Sequence, residues 1–363
     1  MVRVNDFPAT PEELSPAWLT RLLALHGIDA HVEELQHRRI GTGQIGQNHR
    51  YAITYADPHA AASAGAPASL VGKFVSPDLT SRMTGLMMGI YEKEAVFYQR
   101  FAPMLAGRMR TPRAWVAEFD AAREATLVLM EDLAPAVQGD QMEACSVATA
   151  EIAVEQLAGL HSAFWQHDAL DDETLFAKHN DPTRAMILAH LMNEHWPTFV
   201  DRYRDRLTPP MIAVGDRLTA GIGEWVQARS GPMTLTHNDY RADNLMVGDG
   251  WTVAVDWQTV GAGFAGSDLG YFLGASLLPD DRRTEQDRLI DLWHGHLVAH
   301  GVRAYGRDQA WDDYRNGQFS GITTAVVSSM ITQRTDRGDE MFWAMAGRHL
   351  QAAIETDAVS LLS

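Results

Sequence analysis

The densest polar pattern in the chain is His237-Asn238-Asp239-Tyr240-Arg241-Ala242-Asp243-Asn244, followed soon after by an apolar run that ends on Asp256-Trp257. Asp239 and Asn244 lie five apart on what reads as a tight loop, and Asp256 closes a hydrophobic strand, so the spacing predicts one amide and two carboxylates converging on a point. Hard oxygen donors in that arrangement suit Mg²⁺, above all when substrate phosphates complete its shell. The chemistry this implies is phosphoryl transfer: one Asp orients a hydroxyl nucleophile and accepts its proton, while Asn and a second Asp hold the metal that bridges nucleotide phosphates.

Such residues need elements to aim them. Ser15-Pro16 opens a helix over 15–26, with Leu19, Leu22, Leu23 and Leu25 behind it and Gly27 as a stop. From Val32 to Glu131 the pattern predicts five strands: HRRI before Gly41, HRYAITY before Asp57, SLVGKFV before Pro77, RAWVAEF before Asp120 and ATLVLME before Asp132. One helix, over 84–101, interrupts them, where Met88, Tyr91, Ala95, Tyr98 and Phe101 recur at helical spacing. The run DPHAAASAGAPAS reads as a mobile hairpin loop. Beyond Leu133 long amphipathic patterns predict helices at about 145–166, 182–203, 209–228, 284–300, 308–334 and 339–361. Only 234–257 breaks that helical run, with short apolar stretches cut by polar residues and by Gly248 and Gly250. The expected organisation is α+β in two lobes: residues 1–131, a five-stranded antiparallel sheet with one helix, and residues 132–363, larger and mainly helical.

The pattern H-x-D-x-x-x-x-N followed by a strand and Asp256-Trp257 resembles the aminoglycoside phosphotransferase and choline kinase branch of the protein-kinase-like superfamily. Gly41-Thr42-Gly43-Gln44-Ile45-Gly46 is similar to the glycine loop that covers nucleotide phosphates in kinases, and the resemblance implies contacts there from Gly41, Gly43 and Gly46. Lys73 in LVGKF stands where that superfamily keeps the lysine that meets the α- and β-phosphates, with Glu94 placed to pair with it and Glu92 as the rival. Glu131 and Leu133 bracket a stretch similar to the hinge whose backbone meets adenine. Arg241, two residues after Asp239, stands where many protein kinases carry a lysine near the transferred phosphate. In this resemblance Asp239 is the base, Asn244 and Asp256 are the metal ligands, and His237 and His161 are scaffold. Tyr240 reads as packing, Asp243 as a cap of the loop, and Asp268 as the N-cap of a following helix. The Trp257 form favours the small-molecule branch over protein phosphorylation. The run Tyr240-Arg241-Ala242-Asp243-Asn244 resembles a subgroup related to kinase-like domains found beside acyl-CoA dehydrogenases.

Composition narrows the classes. The 363 residues are 46% hydrophobic and 21% charged, a balance suited to a folded globular chain rather than a disordered or fibrous one. A formal net charge of −17 opposes a phosphate backbone, so nucleic acid is not the expected partner. Cys145 is the only cysteine, and the N-terminus lacks the unbroken apolar run of a leader, so a reducing cytoplasmic setting with no membrane partner is expected. A nicotinamide-dependent oxidoreductase would need the glycines to open a helix, whereas HRYAITY after them reads as a strand. The expected partners are ATP, Mg²⁺ and a small molecule bearing a hydroxyl: an amino sugar, an amino alcohol or a hydroxyacyl-CoA. A catalytically idle nucleotide-binding scaffold is the alternative.

Overall fold

The structure, a computed structural model, describes residues 6–41, 45–176, 180–332 and 334–362. The chain divides into two compact units. The first holds residues up to Ala106, Thr111–Pro135 and Val255–Thr259; the second holds Gly107–Arg110, Ala136–Ala254 and everything from Val260 on.

In the first unit, helix α1 (Pro16–Leu25) starts where Ser15 Oγ accepts the Trp18 N–H at 3.3 Å and Pro16 needs no hydrogen-bond partner for its nitrogen. Strands β1 (Val32–Ile40) and β2 (Gly46–Tyr55) lead to a short helix α2 (Pro58–Ser63) and then β3 (Ser69–Val75). Helices α3 (Leu79–Met87) and α4 (Ile90–Val96) precede β4 (Ala114–Asp120) and β5 (Ala125–Glu131). The strands form one antiparallel sheet in the order β1-β2-β3-β5-β4, the expected five. Leu70 and Phe74 on β3 and Leu127 and Leu129 on β5 bury one face of the sheet against Leu19, Leu22 and Leu23 of α1. Alternation therefore sends Lys73 and Val75 to the opposite face, where Val75 packs with Ile90 and Tyr91 of α4.

Two local expectations are corrected here. The segment after Asp57 is not a bare loop: Asp57 caps α2 by accepting the Ala60 N–H at 2.9 Å, and Pro58 follows it, a start signal stronger than the Ala/Ser-rich composition around it. The single helix over 84–101 is instead two helices, because Gly89 takes φ +65 and breaks the run, after which residues 97–101 continue α4 as a π-helical turn.

The second unit contains α5 (Val147–Ala163), α6 (Pro182–Arg202), α7 (Pro209–Ala228), α8 (Ala265–Ser276), α9 (Pro279–Ala299), α10 (Arg307–Ile331) and α11 (Asp336–Glu355). Its small strands are β6 (Val137–Gln138), β7 (Met233–Thr236), β8 (Leu245–Gly248), β9 (Trp251–Ala254) and β10 (Gly261–Phe264). β6, β8 and β9 form one sheet, and β7 pairs with β10. Helix α8 begins at Ala265, before the expected cap at Asp268, which sits in its first turn, and α9 begins at Pro279 rather than near 284. The unit's core gathers Trp196, Phe199, Leu218, Phe319, Ile322 and Leu350 from α6, α7, α10 and α11, and Tyr271 of α8 joins it. Among the described residues no helix is long and apolar enough to cross a membrane.

Candidate active site

In the first unit β3 and α4 bring Lys73 and Glu94 together. Lys73 Nζ donates to Glu94 Oε1 at 3.0 Å, lies 2.8 Å from Oε2, and donates to Asp256 Oδ1 at 2.8 Å. Lys73 and Glu94 are buried, and the Asp256 side chain is partly exposed. Burial alone would lower the Lys73 pKa, but Asp256 and Glu94 outweigh it and push it up to about 12, which favours the ammonium form. The Trp257 N–H donates to Glu94 Oε1 at 3.3 Å, and the Trp257 indole stacks on Phe97 at 3.7 Å, which ties the Asp256-Trp257 segment to α4. Glu92, the rival in sequence, is exposed. Asp256 holds φ +65, a left-handed conformation that costs a non-glycine residue about 1–3 kcal/mol.

Gly41 takes φ +70 at the end of β1. A Cβ on Gly46 would stand 3.2 Å from the Phe74 carbonyl oxygen and 3.5 Å from Lys73 Cε, so β2 enters close to the lysine. Gly43 lies outside the described residues. Glu131 ends β5, where its N–H donates to the Arg113 carbonyl at 2.8 Å, and Leu133 is buried. Between them Asp132, which the sequence did not single out, accepts from both Arg50 and Ser69 Oγ, the latter at 2.8 Å, and so anchors the segment to β2 and β3.

In the second unit β7 delivers the chain to His237 and β8 leads it away after Asn244. The loop is held from below by Asp268, whose carboxylate accepts the backbone N–H of His237 at 2.7 Å and of Asn238 at 2.8 Å. His161 Nε2 donates to the same carboxylate at 3.3 Å; its tautomer is set by Trp293, whose indole N–H donates to His161 Nδ1 at 3.2 Å. His237 is fully buried and accepts the Asp239 N–H on Nδ1 at 3.3 Å, as a scaffold should. Asn238 adopts φ +63, and Tyr240 donates its hydroxyl to the Ala153 carbonyl at 2.8 Å.

The loop presents the Asp239 carboxylate to three donors. Oδ1 accepts from Arg241 Nε at 3.1 Å and from the Tyr271 hydroxyl at 2.8 Å; Oδ2 accepts from Asn244 Nδ2 at 2.7 Å. Asn244 Nδ2 also reaches the Asp239 carbonyl at 2.9 Å. The Arg241 guanidinium spans Asp239 and Asp243, and Asp243 Oδ1 accepts the Gln141 N–H at 2.8 Å, so Asp243 locks the loop to 138–141 rather than capping it alone. Burial opposes the charge of Arg241, yet Asp239, Tyr271 and Asp243 together raise its pKa. Burial, reinforced by Asp239, drives the Tyr271 pKa well above the ordinary tyrosine value. Tyr271 had no signal in the sequence, where it reads as one more aromatic in an apolar helix. Asp268 was seen, but its work is on the loop amides and His161.

Each unit also offers oxygen donors of the kind Mg²⁺ takes. Asn244 donates to Asp239 through Nδ2, which leaves its side-chain carbonyl oxygen as a hard donor, and the Asp256 carboxylate is partly exposed. Among the described residues no three His, Cys, Asp or Glu side chains cluster as a metal site. Either donor by itself would leave most of a Mg²⁺ shell to phosphate and water.

The model of the ecdysteroid kinase-like family matches residues 49–304. Among solved structures the chain is similar to an ethanolamine kinase from Plasmodium vivax, with 12% identity over 93% of this chain and 89% of that one and a TM-score of 0.56. It is similar to a choline kinase from Cryptosporidium parvum, with 9% identity over 89% and 91% and a TM-score of 0.53. A thermostable mutant of the aminoglycoside phosphotransferase APH(4)-Ia, in ternary complex with AMP-PNP and hygromycin B, gives 14% identity over 90% and 95% and a TM-score of 0.50. At these identities the likeness to solved structures is one of fold. No curated protein sequence matches.

Proposed function

Because the chain belongs to the ecdysteroid kinase-like family, we propose that it is a small-molecule kinase, moving the γ-phosphoryl group of ATP to a hydroxyl with the help of Mg²⁺. The observation that carries this reading is the Asp239 carboxylate, held by Asn244, Arg241 and Tyr271 on a loop whose amides Asp268 clamps. In the reaction the bond between the γ-phosphorus and the bridging oxygen to the β-phosphate breaks, a bond from phosphorus to the acceptor oxygen forms, and the hydroxyl proton passes to Asp239. Lys73, fixed by Glu94, holds nucleotide phosphates. Gly41, Gly43 and Gly46 cover them, and the backbone at Glu131 and Leu133 receives the base. Asn244 and Asp256 are the residues that would ligate Mg²⁺, which when bound neutralises charge on the phosphates.

The acceptor is a small alcohol. Support comes from the relatives' names, which speak of choline, ethanolamine and hygromycin B, and from the family's, which speaks of ecdysteroids. The run Tyr240-Arg241-Ala242-Asp243-Asn244 adds hydroxyacyl-CoA compounds to the panel. Aminoglycosides, amino alcohols, polyhydroxylated sterols and hydroxyacyl-CoA compounds, screened for ADP release, identify the class.

A thermal scan tests the nucleotide half first. Mg·ATP at a hundred times its Kd stabilises the folded state by about 2.7 kcal/mol, so millimolar Mg·ATP is expected to raise Tm by several degrees and ATP without Mg²⁺ by less. A Tm unmoved by Mg·ATP would count against the nucleotide half of this proposal.

A further inference from the structure

We infer that Tyr271 is a positioning residue for the base, fixing the rotation of the Asp239 carboxylate so that Oδ2 receives the acceptor hydroxyl. The inference rests on the phosphotransfer reading above. An ionised carboxylate offers about four lone-pair positions, two on each oxygen. Tyr271 and Arg241 occupy both positions on Oδ1, and Asn244 takes one on Oδ2, which leaves the second Oδ2 position for a hydroxyl proton.

Tyr271 is placed to hold this arrangement rigidly. It stands three residues after Asp268 on the buried helix α8, so one helix face fixes the loop twice: Asp268 grips the amides of His237 and Asn238, and Tyr271 grips the side chain of Asp239. Its ring is 2% exposed and packs against His349, with centroids 5.6 Å apart. Facing an anion in a buried site, its hydroxyl can only donate. Arg241 is only two residues from Asp239 and shares its guanidinium with Asp243, so it moves with the loop it would have to restrain. The terminal torsion of an Asp side chain is broad and roughly two-fold. Without the Tyr271 hydroxyl only Arg241 holds that oxygen, and the carboxylate plane can swing out of the orientation that aims the open lone pair at the acceptor hydroxyl.

The test is Tyr271→Phe, which keeps the ring and removes the bond. ADP formation from Mg·ATP is followed with water, or with the panel alcohol that wild type turns over fastest, as acceptor. The expected result is a kcat lowered by about tenfold to a hundredfold with KM for Mg·ATP changed less than about twofold. In an Asp239→Asn background the same substitution should cost nothing further, because the carboxylate it orients is gone. Equal kcat in Tyr271→Phe and wild type overturns the inference, as does a loss that is the same in both backgrounds or that tracks a fall in Tm. Wild type that forms no ADP with water or any panel alcohol overturns the phosphotransfer reading itself, and the inference with it.

Discussion

Asp239→Asn lowers turnover by about 10²-fold to 10⁴-fold and leaves Mg·ATP affinity little changed: this is the expected result for a group that orients a nucleophile and accepts its proton but does not hold the nucleotide. The geometry sharpens the expectation. Three donors from Arg241, Tyr271 and Asn244 converge on two carboxylate oxygens. An amide has one oxygen, so either rotamer sets its NH2 group against at least one of them, at a cost of about 1–3 kcal/mol of stability for the unsatisfied group. Melting should therefore be measured beside turnover. Asp256→Ala is the contrast, expected to weaken Mg²⁺-dependent nucleotide binding as well as turnover. Calorimetry on both variants decides: loss of Mg·ATP binding in Asp239→Asn with retention in Asp256→Ala would reverse the two assignments.

Lys73→Met needs a partner substitution to be readable. The lysine is no strand-end surface group: it is buried in mid-strand against Glu94, and burial already pushes the Glu94 carboxyl upward. Removing the cation strands a buried carboxylate, which costs about 3–5 kcal/mol, so the single variant is expected to melt early. Lys73→Met with Glu94→Gln removes both charges while the glutamine carbonyl can still accept the Trp257 N–H. That double variant should recover much of the lost Tm yet turn over at least about a hundredfold more slowly and bind Mg·ATP about tenfold more weakly. Full turnover and unchanged affinity in the double variant would make Lys73 a structural ion-pair residue and nothing more.

How much of this could be read from the chain alone depended on whether the signal was local. The strands were legible because alternation over HRYAITY and SLVGKFV is a property of neighbours, and the same alternation places Lys73 on the face that meets α4. Choosing Glu94 over Glu92 needed the helix phase, which the break at Gly89 resets and which no periodicity across Met87-Met88 reveals. The Asp57-Pro58 start was present in the sequence and was outweighed by composition. Tyr271 and Asp132 were illegible for a different reason: their partners lie 32 and 82 residues away, in Asp239 and Arg50, and only the tertiary fold turns an aromatic and an acid into clamps.

The ion triad around Lys73 also bears on how the protein can be handled at the bench. The chain has three lysines, at 73, 93 and 178. Amine-directed acylating reagents attack the neutral amine, and Asp256 and Glu94, which outweigh burial, raise the Lys73 pKa and so disfavour that form, while burial also shields the amine from the reagent. Biotinylation with an activated ester should therefore leave the Lys73 peptide unmodified. The tagged protein, immobilised on a surface for binding measurements, should keep the Mg·ATP affinity of the untreated chain. Peptide mapping after labelling, with and without nucleotide, reads the outcome directly.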